Sequence, residues 1–157
     1  MFREIVRKKQ AMEKDASVEL LKTTKRGVLA VTGDDGYPYA VPLNHYYNEA
    51  DGCLYFHSGK TGHKTDALAR NAKASYCVLD DGESAGDWSL YFHSVIVFGK
   101  VKFIEDRDEI YRISRLLSLK FTQDEDYIAH EIAHSGPGTA MFALVPEHVT
   151  GKRVHEA

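Results

Sequence analysis

Cysteine is scarce in this chain: of 157 residues only Cys53 and Cys77 carry thiols. A disulfide framework therefore does not organise the fold, and a reducing cytoplasm is the expected setting. Both cysteines fall in strand-like runs, where a buried thiol is the ordinary role and a redox pair the rare one. Long apolar runs are missing too. None approaches the ~20 residues that a membrane helix needs, and Met1-Phe2-Arg3-Glu4 lacks the apolar stretch of a secretory signal. No membrane partner is expected. Charge of one sign is also absent: a net charge of −3 argues against a nucleic-acid binder working by bulk electrostatics and leaves room only for a local basic pocket. There is no internal repeat and no low-complexity tract.

What remains is a chain of ordinary globular composition, 43% hydrophobic and 27% charged, long enough to bury a core as one domain over residues 1–157. Strand signals dominate. Gly27 to Thr32 reads as a buried strand, Asp34-Asp35-Gly36 as a hairpin turn, and Tyr37 to Tyr47 as a second strand interrupted by Pro38 and Pro42. Proline cannot donate to a ladder, so this strand is expected at an edge, a bulge or a strand start. Cys53 to His57 and Ala74 to Leu79 are further strands; Asp80 to Asp87 is a Gly/Asp/Ser loop. Ser89 to Ile104 fits one long bent strand with Gly99 as its bulge or barrel corner. Thr139 to Val145 closes the set, with a polar tail expected over 146–157. Helices are expected in the N-terminal segment 1–24, capped by Asp15 or Ser17, over His63 to Asn71, and in an insertion at 106–135. Ile110, Ile113, Leu116, Leu117 and Phe121 repeat there with helical period, and Thr122-Gln123-Asp124-Glu125 fits a capping box. The pattern predicts a mainly β protein with flanking helices, a small antiparallel barrel of six or so strands.

Three motifs carry chemistry. His57-Ser58-Gly59-Lys60-Thr61-Gly62-His63-Lys64 leaves an apolar strand and enters a short helix. Glycines admit a close ligand, helix-start N–H groups favour an anion, and Lys64 supplies a point charge, so the segment suits a phosphate. A plain polar loop explains the same residues. Gly59-Lys60-Thr61 mimics the end of a Walker A loop, but the first glycine of that motif would fall at Leu54, so no nucleoside triphosphatase is implied. His130-Glu131-Ile132-Ala133-His134 is a literal H-E-x-x-H whose two imidazoles could share a helix face and hold zinc. Its context is poor, since third-ligand candidates are confined to Glu147, His148, His155 and Glu156. A solvated helix face is the preferred reading over a zinc hydrolase, and no metal is expected.

Four segments together resemble a known family: Gly27-Val28-Leu29-Ala30-Val31; Asp35 through Leu43; Tyr55-Phe56-His57-Ser58 with Gly62-His63-Lys64; and Ser94 through Lys100. The chain is similar to the pyridoxamine 5′-phosphate oxidase-like superfamily of FMN-binding split β-barrels, and within it to the branch of the 5-nitroimidazole-resistance proteins. The resemblance covers roughly residues 3–152. It implies a homodimer with FMN in clefts at the subunit interface. Tyr39, Val41, Pro42, Leu43 and Asn44 would run beside the flavin, with His57 and Ser58 near the ring and ribityl chain. His63 and Lys64 would hold the phosphate, with His where the oxidases often have Arg, and Ser94 and Val95 would match a position contacting the ring system. The Arg/His substrate clamp of a true pyridoxamine-phosphate oxidase is not evident around Gly151-Lys152-Arg153, so that activity is not expected. The implied function is an NAD(P)H-dependent oxidoreductase reducing a small nitroaromatic or quinone-like acceptor, with His57 as proton donor or substrate contact. A flavin sensor or carrier without turnover would need the same contacts, and heme-binding relatives exist on this barrel.

Overall fold

In the computed structural model, which describes residues 1–84 and 86–155, the chain runs from one edge of a single sheet straight to the other. The strands are β1 (Arg26–Thr32), β2 (Pro38–Asn44), β3 (Tyr46–Asn48), β4 (Cys53–Gly59), β5 (Lys73–Leu79), β6 (Glu83–Ser84), β7 (Leu90–Ile104) and β8 (Thr139–His155). They pair in the order β2-β1-β5-β7-β8-β4-β3, with β6 added to β7, and every pairing is antiparallel. Strands β2 and β3 lie at opposite ends of that path, yet only His45 separates them in sequence. The ends must therefore meet, and the sheet curls into a barrel whose β2 and β4 walls approach without a ladder between them. This is a split barrel. The expectation of about six strands is exceeded by the two shortest, β3 and β6.

Burial follows the pleat. Gly27, Leu29 and Val31 of β1 and Ala74, Tyr76 and Val78 of β5 point inward at period two. With Leu54, Phe56, Val95, Val97, Phe142 and Leu144 they fill the barrel, and Leu21, Ala67 and Leu68 pack against it from the helices. Four consecutive residues, Cys53 to Phe56, are buried because β4 is covered on both faces. Leu54 and Phe56 face the barrel, while Cys53 and Tyr55 meet Ile110 and Ile113 of the outer helix.

Helices α1 (Lys14–Thr23), α2 (His63–Arg70), α3 (Arg107–Ser118) and α4 (Glu125–Ser135) flank the sheet. Three boundary expectations are corrected. Helix α1 starts ahead of Asp15 and Ser17; Ser17 donates back to the Glu13 carbonyl at 3.0 Å and is buried rather than capping. The cap of α4 is Asp124, which accepts from Tyr127 N–H at 3.0 Å, while Thr122 merely accepts from Asp124 N–H. The supposed polar tail from Pro146 is the second half of β8, paired with β7 as far as His155; residues 156 and 157 lie outside the described residues. Pro146 misled because it looked like a strand end. It sits opposite Gly99, where the register shifts and Glu147 is the extra residue, so a missing N–H is tolerated. The bulge expected at Gly99 is there. A Cβ on Gly99 would collide with the Val145 carbonyl, so only glycine fits that corner.

Prolines behaved as edge markers. Pro38 opens β2 and Pro42 lies within it, on the outermost strand of the path, where one row of backbone groups has no ladder partner. The break expected at the prolines falls instead at His45.

Candidate functional site

Strand β4 leaves the core at His57, and the next residues form the phosphate-like loop. Gly62, at φ 131°, precedes α2 in a conformation that side-chained residues rarely adopt. No side chain caps α2, so the N–H groups of its first turn keep their affinity for an anion. Lys64 Nζ donates to Ser58 Oγ, and Ser58 Oγ donates to the Gly59 carbonyl at 3.0 Å. Burial lowers the Lys64 pKa from its ordinary value. Among the described residues no carboxylate pairs with it. A half-buried ammonium without a counter-ion, beside uncapped helix amides, fits a phosphate.

His63 takes a different part. Its ring stacks on Tyr39 with centroids 4.1 Å apart, and Nε2 accepts from Asp34 N–H at 3.3 Å. Arg70 Nη2 reaches the same Asp34 at 2.6 Å. The expected basic pair is thus divided: Lys64 is held by Ser58, and His63 closes the β1–β2 turn against α2.

On β2, Tyr39, Val41 and Leu43 turn partly inward against the core, and Pro42 stays exposed. Asn44 Oδ1 accepts from Arg26 Nε at 2.8 Å. Arg26, Pro42, Leu43, Asn44 and His57 line an opening at the seam. Asn44 and His57 also line a cleft of about 360 Å³ that runs under α3 and α4. His57 keeps solvent access, but the atoms around it lower its pKa, first by desolvation and then through the positive charge of Lys64. Its imidazole is neutral at neutral pH and can accept a proton.

Behind the seam, His45 is fully buried. Its Nε2 lies 2.6 Å from the Leu21 carbonyl and so donates to it, which leaves Nδ1 to accept from the Tyr76 hydroxyl at 2.9 Å. The Leu43 carbonyl, 2.7 Å from the same hydroxyl, is a second acceptor for its single proton, which the two share. Lys120 Nζ donates to the carbonyls of Thr24 and His45 at 2.7 and 2.8 Å. One polar network ties the start of the split to α1, β5 and the end of α3.

Two expected site residues stand apart in this chain. Val95 is fully buried in the barrel core. Ser94 lies on the outer face, in a depression with Ile5, Val6, Arg7 and Lys152. In the H-E-x-x-H segment the two imidazoles stack at 6.4 Å, and among the described residues no third ligand joins them. Glu147 lies near Lys100, His148 stacks on Phe2 and His155 on Tyr91, all on β8, and Glu156 is outside the described residues. Among the described residues no group of three or more His, Cys, Asp or Glu gathers as a metal site.

The sequence reading missed Arg26 and the cleft residue Tyr127, weighed Glu131 only within the H-E-x-x-H motif, and read Phe121 as part of a helical apolar stripe. Phe121 lies beyond the end of α3, 43% exposed, at the cleft mouth. Only the pairing of Arg26 with Asn44 across β1 and β2 reveals the arginine, and no single segment contains that information.

Comparisons with known proteins agree with this geometry. The family profile described as pyridoxamine 5′-phosphate oxidase matches residues 13–153. Among curated proteins no sequence match is found. Similar solved structures include a candidate 5-nitroimidazole antibiotic resistance protein from Bacteroides thetaiotaomicron, with TM-score 0.77 and 24% identity over 92% of this chain and 87% of that one. An FAD-binding protein from Mesorhizobium loti aligns with TM-score 0.66 and 21% identity over 92% and 97% of the two chains. A flavocytochrome from Azotobacter vinelandii aligns with TM-score 0.75 and 21% identity over 95% and 72%. At these identities the structural likeness speaks for the shared split barrel, and the profile, spanning nearly the whole chain, places this protein in the pyridoxamine 5′-phosphate oxidase family.

Proposed function

We propose that this protein is an FMN-dependent oxidoreductase, acting as a homodimer, that passes electrons from NADH or NADPH to a small nitroaromatic or quinone-like acceptor. The observation that carries the reading is Lys64: a half-buried ammonium held on Ser58 beside the uncapped start of α2. The FAD-binding and flavocytochrome character of relatives on the same barrel supports a flavin as the anion's source. FMN, when bound, supplies the redox chemistry. The chain supplies the rest. Lys64, Ser58 and the α2 amides would hold the phosphate, and Tyr39 to Asn44 would border the cofactor along the open edge of β2. His57, neutral and at the seam, would give or take a proton at a ring nitrogen.

The dimer reading rests on the outer face of the sheet. Val28, Cys77, Ile96 and Thr150 fall in register across β1, β5, β7 and β8. Val28 and Ile96 are 39% and 36% exposed, and Leu79 lies exposed on the same face. An apolar band of this kind on a sheet face marks an association surface. Sedimentation equilibrium should return twice the 17.7 kDa chain mass; a monomer at micromolar concentration would remove the dimer from the proposal.

Purified protein should be yellow, with flavin absorbance and no Soret band. Lys64→Ala should weaken FMN binding by about 10- to 100-fold, the scale of a lost charge-assisted hydrogen bond. Fluorescence titration measures it, and an unchanged affinity would refute the phosphate assignment. Stopped-flow reduction by NADH and NADPH then distinguishes an enzyme from a carrier.

A further inference from the structure

The cleft under α3 and α4 has a chemistry of its own. It shares Asn44 and His57 with the seam opening, so the two spaces meet at those side chains. The seam side carries Arg26, whereas the lining of the helical side contains no lysine or arginine. That lining is Leu117, Phe121, Tyr127, Ile128 and Ile132 with short hydroxyls, and its one carboxylate is Glu131. Two large aromatics are left in water at this place, Phe121 at 43% and Tyr127 at 56% exposed. His57, the lining's single imidazole, has its pKa lowered and does not offset the negative charge.

Apolar walls with exposed rings suit a flat ring by stacking and desolvation. Two cations stand behind this lining, Arg107 with its guanidinium spent on the Gly136 and Thr139 carbonyls and Lys25 with Nζ 5.4 Å from the Phe121 centroid. The charge that the lining itself presents is the Glu131 carboxylate, which favours an ammonium, amidinium or N–H donor. We propose that the α3–α4 cleft is the acceptor-binding site, that its ligand is a small aromatic molecule bearing a cationic or N–H donor group, and that Glu131 sets this preference. The assignment of the ligand as acceptor rests on the flavoprotein reading above; the preference for cations does not. It gives Glu131 of the H-E-x-x-H segment a role without metal.

A pair of probes of matched shape and opposite charge tests this: p-aminobenzamidine and p-aminobenzoate, titrated into the full-length protein by calorimetry, with FMN affinity measured on the same preparations. The wild type should bind the cation about fivefold tighter than the anion, the scale of one partly exposed ion pair. Glu131→Gln should erase that preference while leaving the unfolding midpoint unchanged. Phe121→Ala should weaken both probes alike. Equal binding of the two probes, or a preference that survives in Glu131→Gln, would overturn the proposal even if FMN binds tightly. Failure to bind FMN, with the probe preference intact, would instead remove the flavoprotein reading and keep the cleft.

Discussion

Phe56→Ala is expected to lower the unfolding free energy by about 3–5 kcal/mol, the cost of deleting a fully buried aromatic side chain. Phe56 is wholly excluded from solvent, stacks on Phe142 with centroids 5.1 Å apart, and meets the Tyr76 ring edge-on at 4.8 Å. Its neighbours come from β5 and β8, so the cavity would open between strands drawn from distant parts of the chain. Those strands cannot collapse inward without breaking ladders, and the loss should fall toward the upper end of the range. Urea denaturation checks it: the midpoint should drop while the slope stays constant. Phe56→Leu keeps most of the volume and should cost under about 1.5 kcal/mol. Equal losses for the two variants would show that cavity formation is not the cause.

Acid should weaken the fold through one imidazole. Burial, followed by the charge of Lys120, lowers the His45 pKa from 6.5 to about 4. Above pH 6.5 the ring is neutral in folded and unfolded chains alike and adds no pH dependence. Between pH 6.5 and 4 the unfolded chain takes up a proton that the folded chain refuses, so stability falls as pH falls. Below pH 4 both forms are protonated and the loss levels off. Integrated over that window it amounts to about 3 kcal/mol. His45→Gln can still donate to the Leu21 carbonyl and accept from Tyr76 but does not titrate, so its stability should decline less across the same interval. Urea midpoints at pH 7.5, 5.5 and 4.5 on both proteins decide the matter. Equal slopes would mean that hydrogen bonds to the imidazolium outweigh its burial. Carboxylates with lowered pKa, such as Asp51 and Asp80, contribute equally to both proteins and cancel in the difference.

Much of the architecture was legible along the chain because it is encoded locally. Period-two burial in β1 and β5, the edge prolines of β2, the glycine corner at Gly99 and the glycines ahead of α2 each state their geometry within a few residues. The second half of β8 was not legible, because its outward residues are polar and its inward partners lie on β7. A strand half-exposed on a long hairpin reads as a tail until its partner is known. In the site, Lys64 and Ser58 were visible as a loop motif, whereas the diversion of His63 to Asp34 and Tyr39 depends on the β1–β2 turn folding against α2. The cleft was invisible for a stronger reason: Asn44, His57, Phe121 and Glu131 come from three separate elements and a connection, and none belongs to a common motif. The H-E-x-x-H segment shows the opposite hazard. Its spacing is real, and among the described residues no third ligand gathers beside it.

A sheet that curls without sealing itself keeps two raw edges, and raw edges invite other chains to add strands. Here one edge is β2, where Pro38 and Pro42 remove donors that a docking strand would use. The other is β3, three residues long and too short to template much pairing. The same two features that let the barrel stay open for a ligand thus protect it against growth into aggregates. An insertion that lengthened β3, or a replacement of Pro42 by a β-branched residue, would expose that vulnerability without touching the core.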